Sequence, residues 1–314
     1  MAEGIDRLRI AVLLPCFNEE AAIAQTVAAF RAALPDAAIY VYDNNSSDRT
    51  AEVAAAAGAI VRAERMQGKG HVVRRMFADV EADVYVMADG DMTYDAVAAP
   101  ELVAKLVDER LDMVVGARVS EVASESYRPG HVFGNRAFTA LLAGLFGRSF
   151  SDVFSGYRVF SRRFVKSFPA LARGFETETE ISVHALELAM PVAEVATRYG
   201  ARPEGSHSKL STWRDGWRIL KTILHLYRIE RPVLFYGSFS LFLAALAVVL
   251  AIPLAITYFE TGLVPRFPTA ILATGLMLLA ALSFFAGLIL DTVVRGRREV
   301  RRLHYLSFPA VGED

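Results

Sequence analysis

Two stretches of this chain carry no charged residue at all, Val233 to Phe259 and Phe267 to Leu290. Each exceeds the roughly 20 apolar residues that a helix needs to cross a hydrocarbon layer about 30 Å thick, and core helices of soluble proteins are seldom so long or so pure. Both are therefore expected to span a membrane. Only Glu260 to Arg266 joins them, so the spans must form an antiparallel hairpin whose two flanks lie on one side. Arg228 and Arg231 lead into the first span and Arg295, Arg297, Arg298, Arg301 and Arg302 follow the second, against Arg266 alone in the connecting loop. The positive-inside rule then puts the region before residue 233 in the cytoplasm, as part of a multi-pass protein of the inner membrane.

The 314 residues leave room for one sizeable domain ahead of the hairpin, which also accounts for a hydrophobic fraction as high as 54%. No apolar signal segment is read before the first predicted strand, and the single cysteine, Cys16, has no internal partner; both agree with a reducing compartment. A formal net charge of -1 excludes a generally basic protein that coats nucleic acid.

Within residues 1–210 strands alternate with helices. Leu8 to Leu14 reads as a buried strand stopped by Pro15, followed by a helix from Glu19 to Ala33 with Asn18 as its N-cap. Ala38 to Tyr42, Ala59 to Arg62, Val84 to Ala88 and Met113 to Val115 are further strands, with helices reaching about Ala57, Val80 and Glu109 between them. Such alternation predicts a doubly wound, mostly parallel α/β sheet. Beyond Arg118 the pattern weakens: His131 to Phe146 looks helical, Asp152 to Arg158 reads as a loop entering a strand, and a helix follows Glu176 to Glu180 as far as about Ala189. Residues Arg202 to Lys209 form a polar loop. Trp213, Trp217, Leu220, Leu224 and Tyr227 then recur on one face of a helix whose other faces carry Arg214, Arg218, Lys221 and Arg228, a pattern suited to the headgroup layer.

The chemistry concentrates at the end of the Val84 to Ala88 strand, in Asp89-Gly90-Asp91. Ligands of open α/β sheets bind at the carboxyl ends of strands, and two carboxylates there repel each other unless a cation intervenes. Mg²⁺ is usually held by one or two carboxylates together with substrate phosphates, so the pair predicts a metal and diphosphate site. Other motifs fail. Gly68-Lys69-Gly70 lacks the hydroxyl residue of a Walker phosphate loop and the spacing of a dinucleotide fingerprint, a calcium loop would need glycine at Tyr94, and the six histidines show no zinc spacing.

Seven signals follow in order: Leu13-Leu-Pro-Cys-Phe-Asn-Glu-Glu20, Asp43-Asn-Asn-Ser-Ser-Asp-Arg-Thr50, Gly68-Lys-Gly70, Asp89-Gly-Asp91, Gly116-Ala-Arg118, Ser155-Gly-Tyr-Arg158 and Arg202-Pro-Glu-Gly-Ser-His-Ser-Lys-Leu210. The series resembles the family 2 glycosyltransferases with a GT-A fold, and more narrowly the dolichyl- and polyprenyl-phosphate glycosyltransferases with a two-helix C-terminal anchor. The resemblance implies that Pro15 and Glu19 shape a nucleotide pocket, that Asp43 holds base or ribose, and that Asp89 and Asp91 are the DxD pair binding Mg²⁺ or Mn²⁺. Arg118, Arg136, Arg202 and Lys209 become candidates for holding donor or acceptor phosphates, and Lys69 and Arg158 join the substrate-binding candidates through their motifs. Asn44, Asn45 and Arg49 depart from the family's usual Asp-Asp-Gly-Ser-x-Asp-Gly-Thr, which leaves uracil and guanine both open.

The expected organisation is a GT-A catalytic domain over 1–210, an amphipathic interface helix over 211–232, a transmembrane hairpin over 233–294 and a basic tail over 295–314. The expected reaction moves a hexose, with inversion, from a UDP- or GDP-linked sugar to a polyprenyl phosphate at the membrane. A hydroxyl acceptor, with Asp152 or one of Glu176, Glu178 and Glu180 as general base, is the alternative, and a non-catalytic nucleotide-binding membrane protein the remote one. Association of the spans into a homo-oligomer is left open.

Overall fold

A computed structural model describes residues 8–120, 140, 143–144, 150–172, 174, 176–200, 221, 224–225 and 227–312. The chain forms two compact units, one of Met1–Ile219 with Arg301–Asp314 and one of Leu220–Val300. The strands are β1 Ile10–Cys16, β2 Ala38–Asp43, β3 Ile60–Ala63, β4 Val84–Met87, β5 Met113–Ser120, β6 Arg158–Ser161 and β7 Val192–Tyr199. The helices are α1 Ile23–Ala33, α2 Thr50–Ala56, α3 Lys69–Asp79, α4 Ala99–Asp108, α5 Arg162–Ser167, α6 Thr177–Glu187, α7 Pro232–Thr261 and α8 Phe267–Leu306.

The first unit is a mixed, mostly parallel sheet in the order β3-β2-β1-β4-β6-β5-β7. Strands β3, β2, β1 and β4 run parallel, β6 enters antiparallel to both β4 and β5, and β7 lies parallel to β5. The chain adds β2 and β3 to one side of β1 and then β4 to the other. The carboxyl ends of β1 and β4 therefore flank the crevice that such a switch of direction creates.

Alternation along each strand assigns the two faces. Val12, Leu14, Ile39, Val41, Val84 and Val86 share a core with Ile23, Val27 and Phe30 of α1 and Leu102, Val103 and Leu106 of α4. On the opposite face Phe77 of α3 meets Tyr85, Phe160 and Phe168 edge-on, with centroids 6.3, 5.7 and 5.9 Å away. Phe164 of α5 stacks on Phe160, and His184 of α6 packs edge-on against Phe164. Each such buried ring contributes roughly 1.5–3 kcal/mol of transfer free energy.

The structure departs from the sequence reading at several places. Pro15 does not stop β1, which continues to Cys16 with Pro15 opposite Tyr42. The register with β4 ends at Leu13, so the missing amide hydrogen falls where the sheet has already opened on that side. Asn18 does not cap α1; the helix starts at Ile23, and Asn18 takes a left-handed φ of 53° with its Oδ1 accepting the Ser47 amide at 2.8 Å. Helix α5 and strand β7 were not anticipated.

Residues from Arg301 belong to the first unit. Arg301 Nη1 pairs with Glu187 Oε2 at 2.6 Å, the Tyr305 hydroxyl donates to Asp112 Oδ2 at 2.8 Å, and Val311 joins the core. Asp112 is fully buried and also accepts from Ser161 Oγ at 2.8 Å and from Arg163. The basic stretch read as a tail is thus helical to Leu306, a direct continuation of the second apolar run.

In the second unit, α7 and the apolar part of α8 are long and apolar enough to cross a membrane. Ser240 Oγ donates to Ala280 O at 2.7 Å, Gly287 lies against Tyr236 and Pro232, and Arg298 pairs with Glu230 at 2.7 Å, so the helices run antiparallel as the short loop requires. The buried residues of α8 are Ala273, Ala280, Gly287 and Val294, seven apart and mostly small, which lets the backbones approach closely. Gly262 ends α7 in the left-handed region at φ 72°, where glycine has no Cβ penalty.

Candidate active site at the carboxyl edge of the sheet

The rim on the β2 side is assembled by short polar side chains. The Glu19 amide donates to Thr50 Oγ1 at 2.9 Å and the Asn18 amide to Ser46 Oγ at 2.9 Å, tying the loop after β1 to the loop after β2. Asn44 is buried and spans the next gap: its Nδ2 donates to Glu64 O and Met66 O at 2.9 and 2.8 Å, and its Oδ1 accepts the Gly68 amide at 2.7 Å. This accounts for one departure from the family pattern. An aspartate there would have no donors to offer two carbonyls.

Asp43 stands at the end of β2 between these ties. Its Oδ2 accepts the Ser46 amide at 3.3 Å, while Oδ1 is buried with no hydrogen-bond partner among the described residues. A buried acceptor left unsatisfied costs about 1–3 kcal/mol, and an N–H or O–H of a ligand would remove that cost. Pro15 is half-buried on the neighbouring strand opposite Tyr42, and Glu19 is half-buried in the loop that follows β1.

Asp89 and Asp91 follow β4 on the other side of the crevice. Asp91 is buried, its Oδ1 accepting the Thr93 amide at 3.2 Å and the Thr93 hydroxyl at 2.5 Å. Asp89 keeps about a third of its side chain exposed and meets Lys69 Nζ at 2.5 Å. Lys69, the first residue of α3, also meets Glu178 Oε1 of α6 at 2.6 Å. Burial works against the ammonium, but Asp89 and Glu178 outweigh it and hold the lysine above its ordinary range. Gly156 packs on this pair: a Cβ there would lie 2.9 Å from Asp89 Oδ2 and 3.2 Å from Lys69 Nζ. Gly90 is needed in the same way, since its Cβ would lie 2.4 Å from Cys16 Sγ.

Arg118, near the end of β5, grips Asp152 with two bonds, Nε to Oδ2 at 2.7 Å and Nη2 to Oδ1 at 2.9 Å, and lies over the Tyr199 ring at 5.3 Å. Burial pushes the Asp152 carboxyl up, yet the Arg118 bonds outweigh it and hold the group below the usual carboxylate range. A carboxylate so held is a weak proton acceptor. Tyr199 also packs against Tyr94 at 5.3 Å, and the Gly200 amide donates to Thr93 O at 2.9 Å, so the end of β7 is fastened to the loop that carries Asp91.

Arg158, a sequence candidate for substrate binding, lies inside the protein. Fully buried, it donates Nε to Ser155 O at 2.9 Å and Nη2 to Val153 O and Ser182 Oγ at 2.6 and 2.9 Å. Its guanidinium therefore fixes the 153–155 turn instead of meeting a ligand, and burial lowers its pKa to about 10. Glu180 is likewise engaged, accepting the Leu171 and Ala172 amides at 2.8 Å each. Arg136, Arg202 and Lys209, the Trp213 and Trp217 face, and nearly all of the 131–146 helix lie outside the described residues.

The sequence reading named Asp43, Lys69, Asp89 and Asp91, and the structure gathers them at one edge of the sheet. It missed Asn44, whose only signal was its departure from a motif, and Gly156 and Tyr94, whose amide-to-hydroxyl bond of 2.8 Å closes the back of the site. Among the described residues no group of three or more His, Cys, Asp and Glu side chains gathers as a metal cage. Two carboxylates, one of them already meeting a positive charge in Lys69, suit Mg²⁺ or Mn²⁺, which take one or two carboxylates and leave other positions to phosphates.

Residues 11–168, about half of the chain, match glycosyl transferase family 2. A low-salt glycan biosynthesis hexosyltransferase of Haloferax volcanii is 32% identical over 81% of this chain and 61% of its own length. A dolichyl-phosphate hexose transferase of the same organism is 28% identical over 71% of this chain and 95% of its own. Among solved structures, glucosyl-3-phosphoglycerate synthase of Mycobacterium tuberculosis, in complex with Mn²⁺ and UDP-glucose, superposes with a TM-score of 0.56 at 24% identity, covering 72% of this chain and 80% of that one. That likeness shows the fold, GT-A.

Proposed function

The chain belongs to glycosyl transferase family 2, and from that premise we propose that it moves a hexose from a nucleotide sugar to a polyprenyl phosphate at a membrane surface. The observation that carries the reading is the pairing of two different half-sites across one crevice: an unsatisfied Asp43 oxygen after β2, suited to the donor's base or ribose, and the Asp89 and Asp91 carboxylates after β4, suited to its diphosphate. The dolichyl-phosphate relative and the two apolar helices support a lipid-linked acceptor.

In the reaction the bond from the anomeric carbon to the diphosphate oxygen breaks, and a bond from that carbon to the lipid phosphate oxygen forms on the opposite face, with inversion. The nucleoside diphosphate leaves with the bonding electrons. A divalent cation held by Asp89 and Asp91 would supply Lewis-acid stabilisation of the developing charge. Lys69 brings a second positive charge to the same place. A lipid phosphate is already ionised, so its attack needs cationic positioning more than a base, and Arg118, Arg136, Arg202 and Lys209 provide that sign. The hydroxyl-acceptor reading draws no support from Asp152, Glu178 or Glu180, since Asp152 is held down by Arg118, Glu178 is spent on Lys69 and Glu180 accepts two backbone amides. The arginines that follow the second span support a catalytic unit on the cytoplasmic face.

The test is the full-length protein in detergent with radiolabelled UDP- and GDP-sugars, undecaprenyl phosphate, and Mg²⁺ or Mn²⁺. The expected outcome is one lipid-linked sugar from one donor, abolished by Asp89→Asn. No lipid-linked product across the donor panel would overturn the reading.

A further inference from the structure

The triad Asp89–Lys69–Glu178, two of whose members are enclosed, is more than the ligand pair requires. Lys69 opens α3, and the N-terminal end of a helix disfavours a cation. Its ammonium is nonetheless almost fully enclosed and divided between one carboxylate at the crevice, 2.5 Å away, and one behind it at 2.6 Å. Gly156 and Gly70 make room for this arrangement. A Cβ at Gly156 would press on both partners, and one at Gly70 would sit 2.2 Å from Ala172 O in the turn that leads into the Glu178 helix.

We propose that Lys69 is a tethered cation that competes with the divalent cation for Asp89, with Glu178 as the parking place that makes the exchange reversible. The inference rests on Asp89 as a metal ligand. Without the divalent cation the ammonium neutralises Asp89 and prevents the repulsion that two adjacent carboxylates would suffer. When the cation takes Asp89, like charge drives the ammonium off Oδ1. Glu178 keeps it from leaving the site, so the charge stays within reach of a diphosphate oxygen. No bond to carbon or phosphorus changes in this step; only the partner of one ion pair does.

The consequence is that metal affinity is set by competition inside the protein. The test is Mn²⁺ binding to the full-length protein in detergent, read by electron paramagnetic resonance without nucleotide and with UDP or GDP. Without nucleotide, Lys69→Met should bind Mn²⁺ about tenfold more tightly than the unmodified protein, because a repelling charge is gone. Lys69→Met with Glu178→Gln should keep that gain, showing that it does not come from Glu178 acting as a new ligand, whereas Lys69→Arg should stay near the original affinity. Glu178→Gln alone should weaken binding severalfold, since Asp89 then holds the ammonium alone. Unchanged or weaker Mn²⁺ binding by the double variant, or tighter binding by Lys69→Arg, would overturn the inference while leaving the metal site in place. If no form of the protein binds Mn²⁺ with or without nucleotide, the metal reading itself fails and the inference goes with it.

Discussion

Neutral side chains and one solvent-exposed ion pair, Arg49 on Glu20, hold one rim of the crevice, and buried charges hold the other. After β1 and β2, the loops are joined by the side chains of Asn18, Asn44, Ser46 and Thr50 to backbone groups, and one carboxylate oxygen of Asp43 is left over. Around the carboxyl ends of β4 and β5 the ties are Lys69 between Asp89 and Glu178, Arg118 on Asp152, and Arg158 on internal acceptors. A neutral rim can be complete and still hold one acceptor ready for a ligand. A charged rim balances its charges within itself, and a ligand must then displace a partner to enter. The difference separates a rim that receives from a rim that exchanges.

The sharpest way to break this contrast is at Arg158. Arg158→Met leaves the Ser155 carbonyl buried without its donor and the Val153 carbonyl with only a long bond from Ser182 Oγ, and unfolding stability should fall by about 3–5 kcal/mol, read as a lowered thermal midpoint of the purified protein. A loss under about 1 kcal/mol would show that the charged side does not depend on its buried charges.

The next effect is read by pH. Burial, with the charge of Arg301 added, pushes His184 down to about 3. An unfolded histidine takes up its proton near 6.5, so below that pH the unfolded chain binds a proton that the folded one refuses. Stability from this group is therefore whole above about pH 6.5 and is lost progressively toward pH 3, by a few kcal/mol in all. Melting curves between pH 7 and 5 should fall less steeply for His184→Gln than for the unmodified protein.

On the neutral rim, Asn44→Ala should cost about 1–3 kcal/mol of stability and weaken donor binding, with the Mn²⁺ affinity of the nucleotide-free protein unchanged. Isothermal titration with UDP, GDP and Mn²⁺ separates the two. A simultaneous loss of Mn²⁺ binding would mean that the rims are not independent. Smallest is Asn18→Gly, which gives up the Ser47 bond while relieving the left-handed backbone; stability should change by less than about 1 kcal/mol.

What the sequence made legible was whatever depends on neighbours in the chain. The two apolar runs, the alternation of strands and helices up to β5, and the pair of aspartates after an apolar strand were all visible because each is a local pattern. What was hidden depends on partners far along the chain. Arg158 looks like a substrate ligand in its motif, and only the fold shows Val153, Ser155 and Ser182 closing around it. Glu178 was weighed as a base because nothing local reveals Lys69 beside it. Asn18 was taken for a helix cap because Ser47, which it binds instead, belongs to another loop. Tyr305 and Val311 looked like part of a tail, since the burial of Asp112 cannot be read from either end.

The antiparallel insertion of β6 also has a consequence in time. Strands β2 to β4 can pair as they leave the ribosome, each finding a parallel neighbour already made. Strand β5 cannot, because its sheet partners are β6 and β7, which come later in the chain. At about 5–20 residues per second, the stretch from Ser120 to Arg158 takes roughly 2–8 s to emerge. For that interval the apolar start of β5, Met113 to Val115, waits as an unpaired edge, the form in which strands aggregate. Nascent chains halted before Arg158 should thus be far more prone to associate than those halted after Tyr199, and the youngest molecules of this protein are the ones most in need of protection.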